Sequence, residues 1–252
     1  QILNSLFNNT KSMKILTVIP TYNEVENLPL LVEQILGLGI PDLEILIVDD
    51  NSSDGTAAVT QELAKEYPKR IHLLSRPKKD GLGTAYVAGF NEALNRDADV
   101  IIQMDADLSH PPKYIPALIK CLKSADVVVG SRYVPGGGIT HDWGILRRIL
   151  SRSGDLYIKL MLGLHIKDTK SGFKAFRRSA IEKIPIKNLR SKGFIFQAEV
   201  IYWCQRMGLS IYEMPFVFQQ RATGKSKMSL HIIIEGLWRP FHTRWSNKNN
   251  PL

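Results

Sequence analysis

Cysteine is nearly missing from this chain: there are two, Cys121 and Cys204, far apart and neither in a Cys-x-x-Cys pair. That argues against a disulfide framework or a thiolate zinc site and fits a reducing compartment. No apolar run approaches the roughly 18 to 20 residues that a membrane-spanning helix needs, and no charged-then-apolar leader opens the sequence. Acid is in deficit, with 24 Asp and Glu against 33 Lys and Arg, for a net charge of +9. This balance suits an anionic partner: a nucleic acid, a membrane surface or a phosphate-bearing substrate. Internal repeats and low-complexity stretches are also lacking. What remains is ordinary for a globular protein: 252 residues, 44% hydrophobic and 23% charged, enough for one large domain or two small ones with a real core.

Two nucleotide motifs fail on their residues. Gly81-Leu82-Gly83-Thr84-Ala85-Tyr86 puts tyrosine where a dinucleotide fingerprint has its third glycine, and no acidic residue closes a following strand at the right distance. Gly224-Lys225-Ser226 resembles the end of a P-loop, but Gln219 stands where the opening glycine belongs. Nicotinamide chemistry and P-loop hydrolysis are both rejected.

The stretch that organises the chain is Asp105-Ala106-Asp107-Leu108-Ser109-His110-Pro111-Pro112, preceded by the apolar run 100–104. The run fits a strand buried on both faces, and the prolines stop it. In extended backbone, residues i and i+2 share a side, so both carboxylates are expected to converge at the strand's carboxyl end. Like charges held that close call for a cation between them. Mg²⁺ or Mn²⁺ fits, because such ions take one or two carboxylates and complete their shell with water and phosphate oxygens. Alone, Asp-x-Asp equally describes a turn with two solvated acids. The flanking pattern argues otherwise. Strands are expected at 14–19, 43–48 and 71–75 and helices at 25–38, 56–67 and 83–95, which is the alternation of a parallel α/β sheet. Ligands of such sheets bind beyond the strands' carboxyl ends, where Tyr22, Asp50 and Asp105 gather.

Further on, helices are expected at 113–123, 194–207 and 228–241 and strands at 126–129, 171–176 and 209–219. Gly136-Gly137-Gly138 is read either as a loop that moves or admits a ligand, or as a plain turn. Residues 143–166 alternate Arg147, Arg148, Arg152 and Lys159 with aliphatics. They form a basic amphipathic helix that lies on a membrane interface or packs on the core with a solvated face. Arg221, Lys225 and Lys227 put three cations on a turn at a strand's end, read as a phosphate-gripping loop. His110, beside two prolines, is read as structural.

Ile19-Pro20-Thr21-Tyr22-Asn23-Glu24, Val48-Asp49-Asp50-Asn51-Ser52-Ser53-Asp54-Gly55-Thr56, the Asp105 stretch, Gly130-Ser131-Arg132 and the 221–227 loop occur together and in order. The set resembles the family 2 glycosyltransferases of GT-A fold, and within them the dolichol-phosphate (polyprenol-phosphate) mannose synthases, over about residues 14–238. The resemblance implies one Rossmann-like α/β domain, 14–240, with a mostly parallel sheet flanked by helices. Residues 14–130 would form its nucleotide-sugar half and 131–240 its acceptor half, with tails 1–12 and 247–252 flexible and Met13 the natural start. It further implies that Pro20, Tyr22, Glu24, Val48 and Asp50 hold the guanine nucleoside. Asp105 and Asp107 would coordinate Mg²⁺ or Mn²⁺ at the diphosphate, with Ala106 close by and Ser109 reaching the metal through water. Arg132, Arg147 and Ser151 match positions that grip the lipid phosphate, and Arg221 and Lys227 match those that neutralise the donor phosphates. Asp105, Asp107 and Arg132 are then the catalytic set.

The implied reaction moves mannose from GDP-mannose to a polyprenyl or dolichyl phosphate with inversion. It would take place peripherally on the cytoplasmic face of a membrane, alone or with a membrane-anchoring partner subunit. Two other readings stand beside it. One is a family 2 transferase using another donor or acceptor, such as UDP-glucose or a soluble sugar. The other is a non-enzymatic module for anionic surfaces. Nucleic acid as a partner is disfavoured by acids at three strand ends and by few aromatics among the basic residues.

Overall fold

The computed structural model describes residues 13–140, 145–219 and 230–248, with side chains undescribed at 145–148, 150, 230–233 and 247–248. Aliphatic runs make the strands β1 (Ile15–Thr21), β2 (Leu43–Asp49), β3 (Ile71–Ser75) and β4 (Val100–Gln103). Between them lie the helices α1 (Leu28–Leu36), α2 (Thr56–Glu66) and α3 (Leu82–Asn95). After β4 come a single 3₁₀ turn (Pro112–Tyr114), α4 (Ile115–Cys121), β5 (Val127–Ser131) and the short β6 (Gly138–Ile139). Next are α5 (Ile145–Leu162), β7 (Lys174–Arg177), α6 (Arg178–Lys183) and α7 (Phe196–Arg206). The chain finishes with β8 (Ile211–Pro215), β9 (Val217–Phe218) and α8 (Leu230–Lys248).

Seven strands form one sheet in the order β3-β2-β1-β4-β7-β5-β8. All neighbours are parallel except β7, which runs antiparallel between β4 and β5, with Phe176 opposite Ile101 and Ala175 opposite Val128. β6 and β9 pair separately. The expected strand over 171–176 starts only at Lys174, because 171–173 instead form a loop at the sheet's edge of the site. The expected strand over 209–219 divides at Phe216. Pro215 ends β8, and the chain beyond it turns to pair with β6. Helices expected at 25–38 and 113–123 are shorter, each entered through a turn with a proline in its first positions. α8 is longer than expected and carries Pro240 within it.

Alternation along the strands sends side chains to two cores, one on each face. In β1, Leu16 and Val18 join the cluster under α3 and α7, and Ile15 and Ile19 join the cluster under α1 and α4. α3 lies unusually close to the sheet. A Cβ on Gly89 would stand 2.2 Å from Val18 Cγ1, so only glycine fits there. That close seating brings the first turns of α3 to the end of β4, beside the acids.

Candidate active site

The carboxyl ends of β1, β2 and β4 open on one cleft. Beyond β2, Asp49 and Asp50 divide their work. Asp49 accepts from the Thr21 hydroxyl (3.1 Å) and from the Ser52 hydroxyl (2.6 Å) and N–H (3.0 Å), which folds the 50–53 turn. Asp50 is left to meet Arg76 Nη1 at 2.5 Å, and Arg76 Nη2 also donates to Thr84 Oγ1 at 2.8 Å. Burial raises the Asp50 carboxyl above its usual range, and the Arg76 guanidinium works against that rise. Asp54 ties the two loops: its carboxylate accepts the N–H of Val25 (3.0 Å) and both N–H (3.0 Å) and hydroxyl (2.6 Å) of Thr56. The Glu24 N–H donates to Thr56 Oγ1 (3.0 Å), and Asn27 Nδ2 donates to Glu24 Oε2 (2.9 Å). Lys79 Nζ sits 3.7 Å from the centre of the Tyr22 ring, a cation–π arrangement. Pro20 lies opposite Val48 in the β1–β2 register. The Val48 side chain is buried in the core under α3, so only its backbone reaches the cleft.

The acids beyond β4 sit differently from the extended arrangement expected. β4 stops at Gln103, and 106–108 bend sharply, with Leu108 at φ 63. The bend has a cause. His110 Nδ1 accepts the Asp105 N–H at 3.0 Å, which folds the chain back on itself before Pro111. Even so, the carboxylates of both Asp105 and Asp107 act on the Tyr86 phenol and on the His110 imidazole. Asp105 Oδ1 accepts from Tyr86 Oη at 2.8 Å. Asp107 Oδ1 accepts from the Ser109 hydroxyl at 2.5 Å and its N–H at 3.1 Å. Ser109 therefore orients Asp107. Ala106 is buried between the two acids.

His110 is buried, stacked on Phe173 (5.2 Å, 9°), and held below its ordinary pKa by burial, against the pull of Asp105 and Asp107. It is neutral with Nδ1 as acceptor, so its 3.9 Å approach to Asp105 Oδ2 is no ion pair. The structural reading of this residue stands.

Asp105 and Asp107 are hard oxygen donors, and among the described residues no group of three or more His, Cys, Asp or Glu gathers around a metal position. That donor set fits Mg²⁺ or Mn²⁺, which needs few protein carboxylates when phosphate and water supply the rest. Room is kept for it as well. A Cβ on Gly172 would lie 3.0 Å from Asp105 Oδ2, so glycine leaves that oxygen's surroundings open.

On the other side of the cleft, Arg132 follows β5. Its Nε and Nη2 meet Asp168 Oδ2 and Oδ1 at 2.8 and 2.7 Å, and its own N–H adds a third bond to Oδ2 at 2.9 Å. Burial works against the guanidinium charge, but the Asp168 carboxylate outweighs it and holds Arg132 above its ordinary pKa. Asp168 is itself placed by Glu213 on β8, which accepts the N–H of both Lys167 and Asp168. Tyr133 Oη and Ser151 Oγ lie 3.1 Å apart, linking the Arg132 segment to α5. Lys170 joins Ser151 O (3.0 Å) to Asp155 Oδ2 (3.2 Å). Ser151 is thus linked to the residue after Arg132, through Tyr133. The Arg147 side chain, Arg221 and Lys227 lie outside the described residues.

Tyr86, Arg76, Asp168 and Lys170 escaped the sequence reading. Thr84 and Tyr86 belong to the very stretch rejected as a dinucleotide fingerprint, and its tyrosine was the signal available. Asp168 had no pattern around it, since its partner is 36 residues away.

Residues 17–185 match the family described as Glycosyl transferase family 2. The chain is 42% identical to an undecaprenyl-phosphate mannosyltransferase of Micrococcus luteus, over 92% of this chain and 94% of that protein. It is also 42% identical to a polyprenol monophosphomannose synthase of Mycolicibacterium smegmatis, over 90% and 86%. In fold it is similar to glucosyl-3-phosphoglycerate synthase of Mycobacterium tuberculosis, solved with Mn²⁺, UDP-glucose and glycerol 3-phosphate. The TM-score is 0.65 at 18% identity, covering 95% of this chain and 82% of that one. With the ordered motifs, the sheet and the acid-ended cleft, these matches make the chain a member of glycosyl transferase family 2.

Proposed function

We propose that this transferase moves mannose from GDP-mannose to a polyprenyl or dolichyl phosphate, inverting the sugar carbon, with Mg²⁺ or Mn²⁺ at Asp105 and Asp107. The observation that carries the reading is the pairing across one cleft of an acid end, Asp105 and Asp107, with a cation end, Arg132 braced by Asp168. The two relatives at 42% identity, both named for lipid-phosphate mannose chemistry, support the same acceptor and sugar.

The chemistry follows from the charges. A divalent ion held by Asp105 and Asp107 would supply positive charge to stabilise a departing diphosphate. Asp50 and Tyr22 hold the nucleoside, while Ser109 keeps Asp107 oriented. The acceptor is a phosphate monoester, already anionic at neutral pH, and needs no proton removed. His110 agrees with this, because its Nδ1 is committed to the Asp105 N–H and its ring is buried. Arg132 draws the acceptor phosphate in against the donor's own negative charge, and Ser151 offers a hydroxyl beside it. Arg147 from α5, with Arg221 and Lys227 on the donor side, completes the cationic surround in this reading.

A membrane surface is the proposed location. α5 exposes Ile149, Leu156 and Leu160, and α8 exposes Ile234, Leu237, Trp238, Phe241 and Trp245. The helices are tied together by Tyr157 Oη to Leu237 O (2.6 Å) and Arg244 Nη1 to Leu160 O (3.0 Å). Aliphatic and aromatic rows beside cations suit the headgroup boundary. No helix among the described residues is long and apolar enough to cross a membrane. The free thiols Cys121 and Cys204 suit the cytoplasmic face, and a membrane-anchoring subunit would seat on the same helices.

The test is transfer by purified protein from a panel of sugar nucleotides to polyprenyl phosphate in detergent, with Mg²⁺ or Mn²⁺. Label from GDP-mannose should enter the lipid, and chelation should stop it. A preference for UDP-glucose, or for a soluble sugar acceptor, would contradict the reading.

A further inference from the structure

Tyr86 is a fully buried phenol whose hydroxyl points at Asp105 and whose ring has no part in the reaction derived above. Its ring belongs to a cluster of three, stacked on Phe196 (5.8 Å, 4°) and packed against Phe90 (6.1 Å), which in turn contacts Phe196 (6.5 Å). The phenol is the donor in its 2.8 Å bond to Asp105, because a carboxylate oxygen can only accept. Behind it runs a buried polar chain. Gln103 Nε2 donates to Gln197 Oε1, which accepts in turn from Lys174 Nζ at 2.5 Å. Lys174 also holds the Ser171 carbonyl. Gln103, Gln197 and Lys174 are all buried, and Gln103 lies opposite Lys174 in the β4–β7 register.

Asp105 is thus approached from three sides. His110 takes its N–H, Tyr86 takes Oδ1, and Gly172, whose neighbour Ser171 is pinned by Lys174, faces Oδ2 without a side chain. We propose that Tyr86 is a positioning residue for the metal: held by its stack on Phe196, it fixes the Asp105 carboxylate so that Oδ2 is presented to the divalent ion. The proposal rests on the metal reading above. Partners that orient a ligating carboxylate change metal affinity by roughly 10- to 100-fold when removed.

The experiment is Mn²⁺ binding to purified protein in the presence of GDP, followed by the electron paramagnetic resonance signal of free Mn²⁺. Tyr86→Phe keeps the ring and loses only the hydroxyl. Its Mn²⁺ affinity should fall about 10-fold or more, and its kcat should recover at saturating Mn²⁺ while the metal concentration needed rises. Phe90→Leu disturbs the same stack without touching the hydroxyl and should leave Mn²⁺ affinity within about twofold of wild type. Gly172→Ala provides a second route that does not depend on how well the tyrosine variant folds. Its Cβ would press on Asp105 Oδ2 and should lower Mn²⁺ affinity similarly. Unchanged affinity in Tyr86→Phe or in Gly172→Ala, or an equal loss in Phe90→Leu, would overturn the proposal. Wild-type protein that binds no Mn²⁺ with GDP would overturn the metal reading and this proposal with it.

Discussion

Asp107 makes the cleanest residue-level case, because its bonds to the Ser109 hydroxyl and N–H are local. Asp107→Ala should cut transfer by about 10²-fold or more with the unfolding midpoint nearly unchanged; wild-type turnover would discard the metal assignment. Lys174 gives a pH prediction. Burial pulls its pKa from 10.5 down to about 7, against the pull of Asp168 and Asp105. Between those values the unfolded chain binds a proton that the folded one has released, so stability rises with pH across that window. Lys174→Met should flatten the rise, read as urea midpoints at neutral pH and just below 10.5; parallel profiles in both proteins would refute it. Local motifs such as Asp105-Ala106-Asp107 were legible in the sequence because the chemistry sits within a few residues. Tyr86–Asp105, Arg76–Asp50 and Arg132–Asp168 were not, since they form across 19, 26 and 36 residues and depend on how helices seat on the sheet.

At the scale of elements, α3 is positioned by its closest approach to the sheet. Gly89→Ala should cost about 1–3 kcal/mol by overpacking against Val18, measured by denaturant unfolding; a neutral result would mean that the helix can shift, and the Tyr86–Asp105 distance with it. On α8, Trp238, Phe241 and Trp245 form a ladder of ring contacts at 5.8 and 5.5 Å along one exposed face. Replacing Trp238 and Trp245 by serine should weaken binding to anionic vesicles at least about tenfold, since each buried aromatic is worth about 1.5–3 kcal/mol, with the fold intact. Equal vesicle binding by the variant would remove the membrane role from this helix. The amphipathic character of 143–166 was readable from periodicity, while the pairing of α5 with α8 was not, because it joins segments some 80 residues apart. The antiparallel direction of β7 was equally hidden, since an apolar run carries no sign of which way it lies in a sheet.

Taken as a whole, the molecule sets a sheet's carboxyl edge between two charges. The first half of the chain brings Asp50, Asp105 and Asp107 to that edge, and the second half folds Arg132, Asp168 and Lys170 back against it from β5, β7 and the foot of α5. The parallel order of β1 to β4 followed from alternating strands and helices, and so did the place of the cleft. What the alternation could not supply was the return of the second half, which rests on β7 inserting between β4 and β5. The central claim is that one divalent ion at Asp105 and Asp107 holds a sugar nucleotide whose sugar faces Arg132. A crystal structure with Mn²⁺ and GDP-mannose tests it most directly. The account predicts the ion against both carboxylates and the mannose between it and Arg132; no ion beside those acids, or a sugar turned away from Arg132, would contradict it.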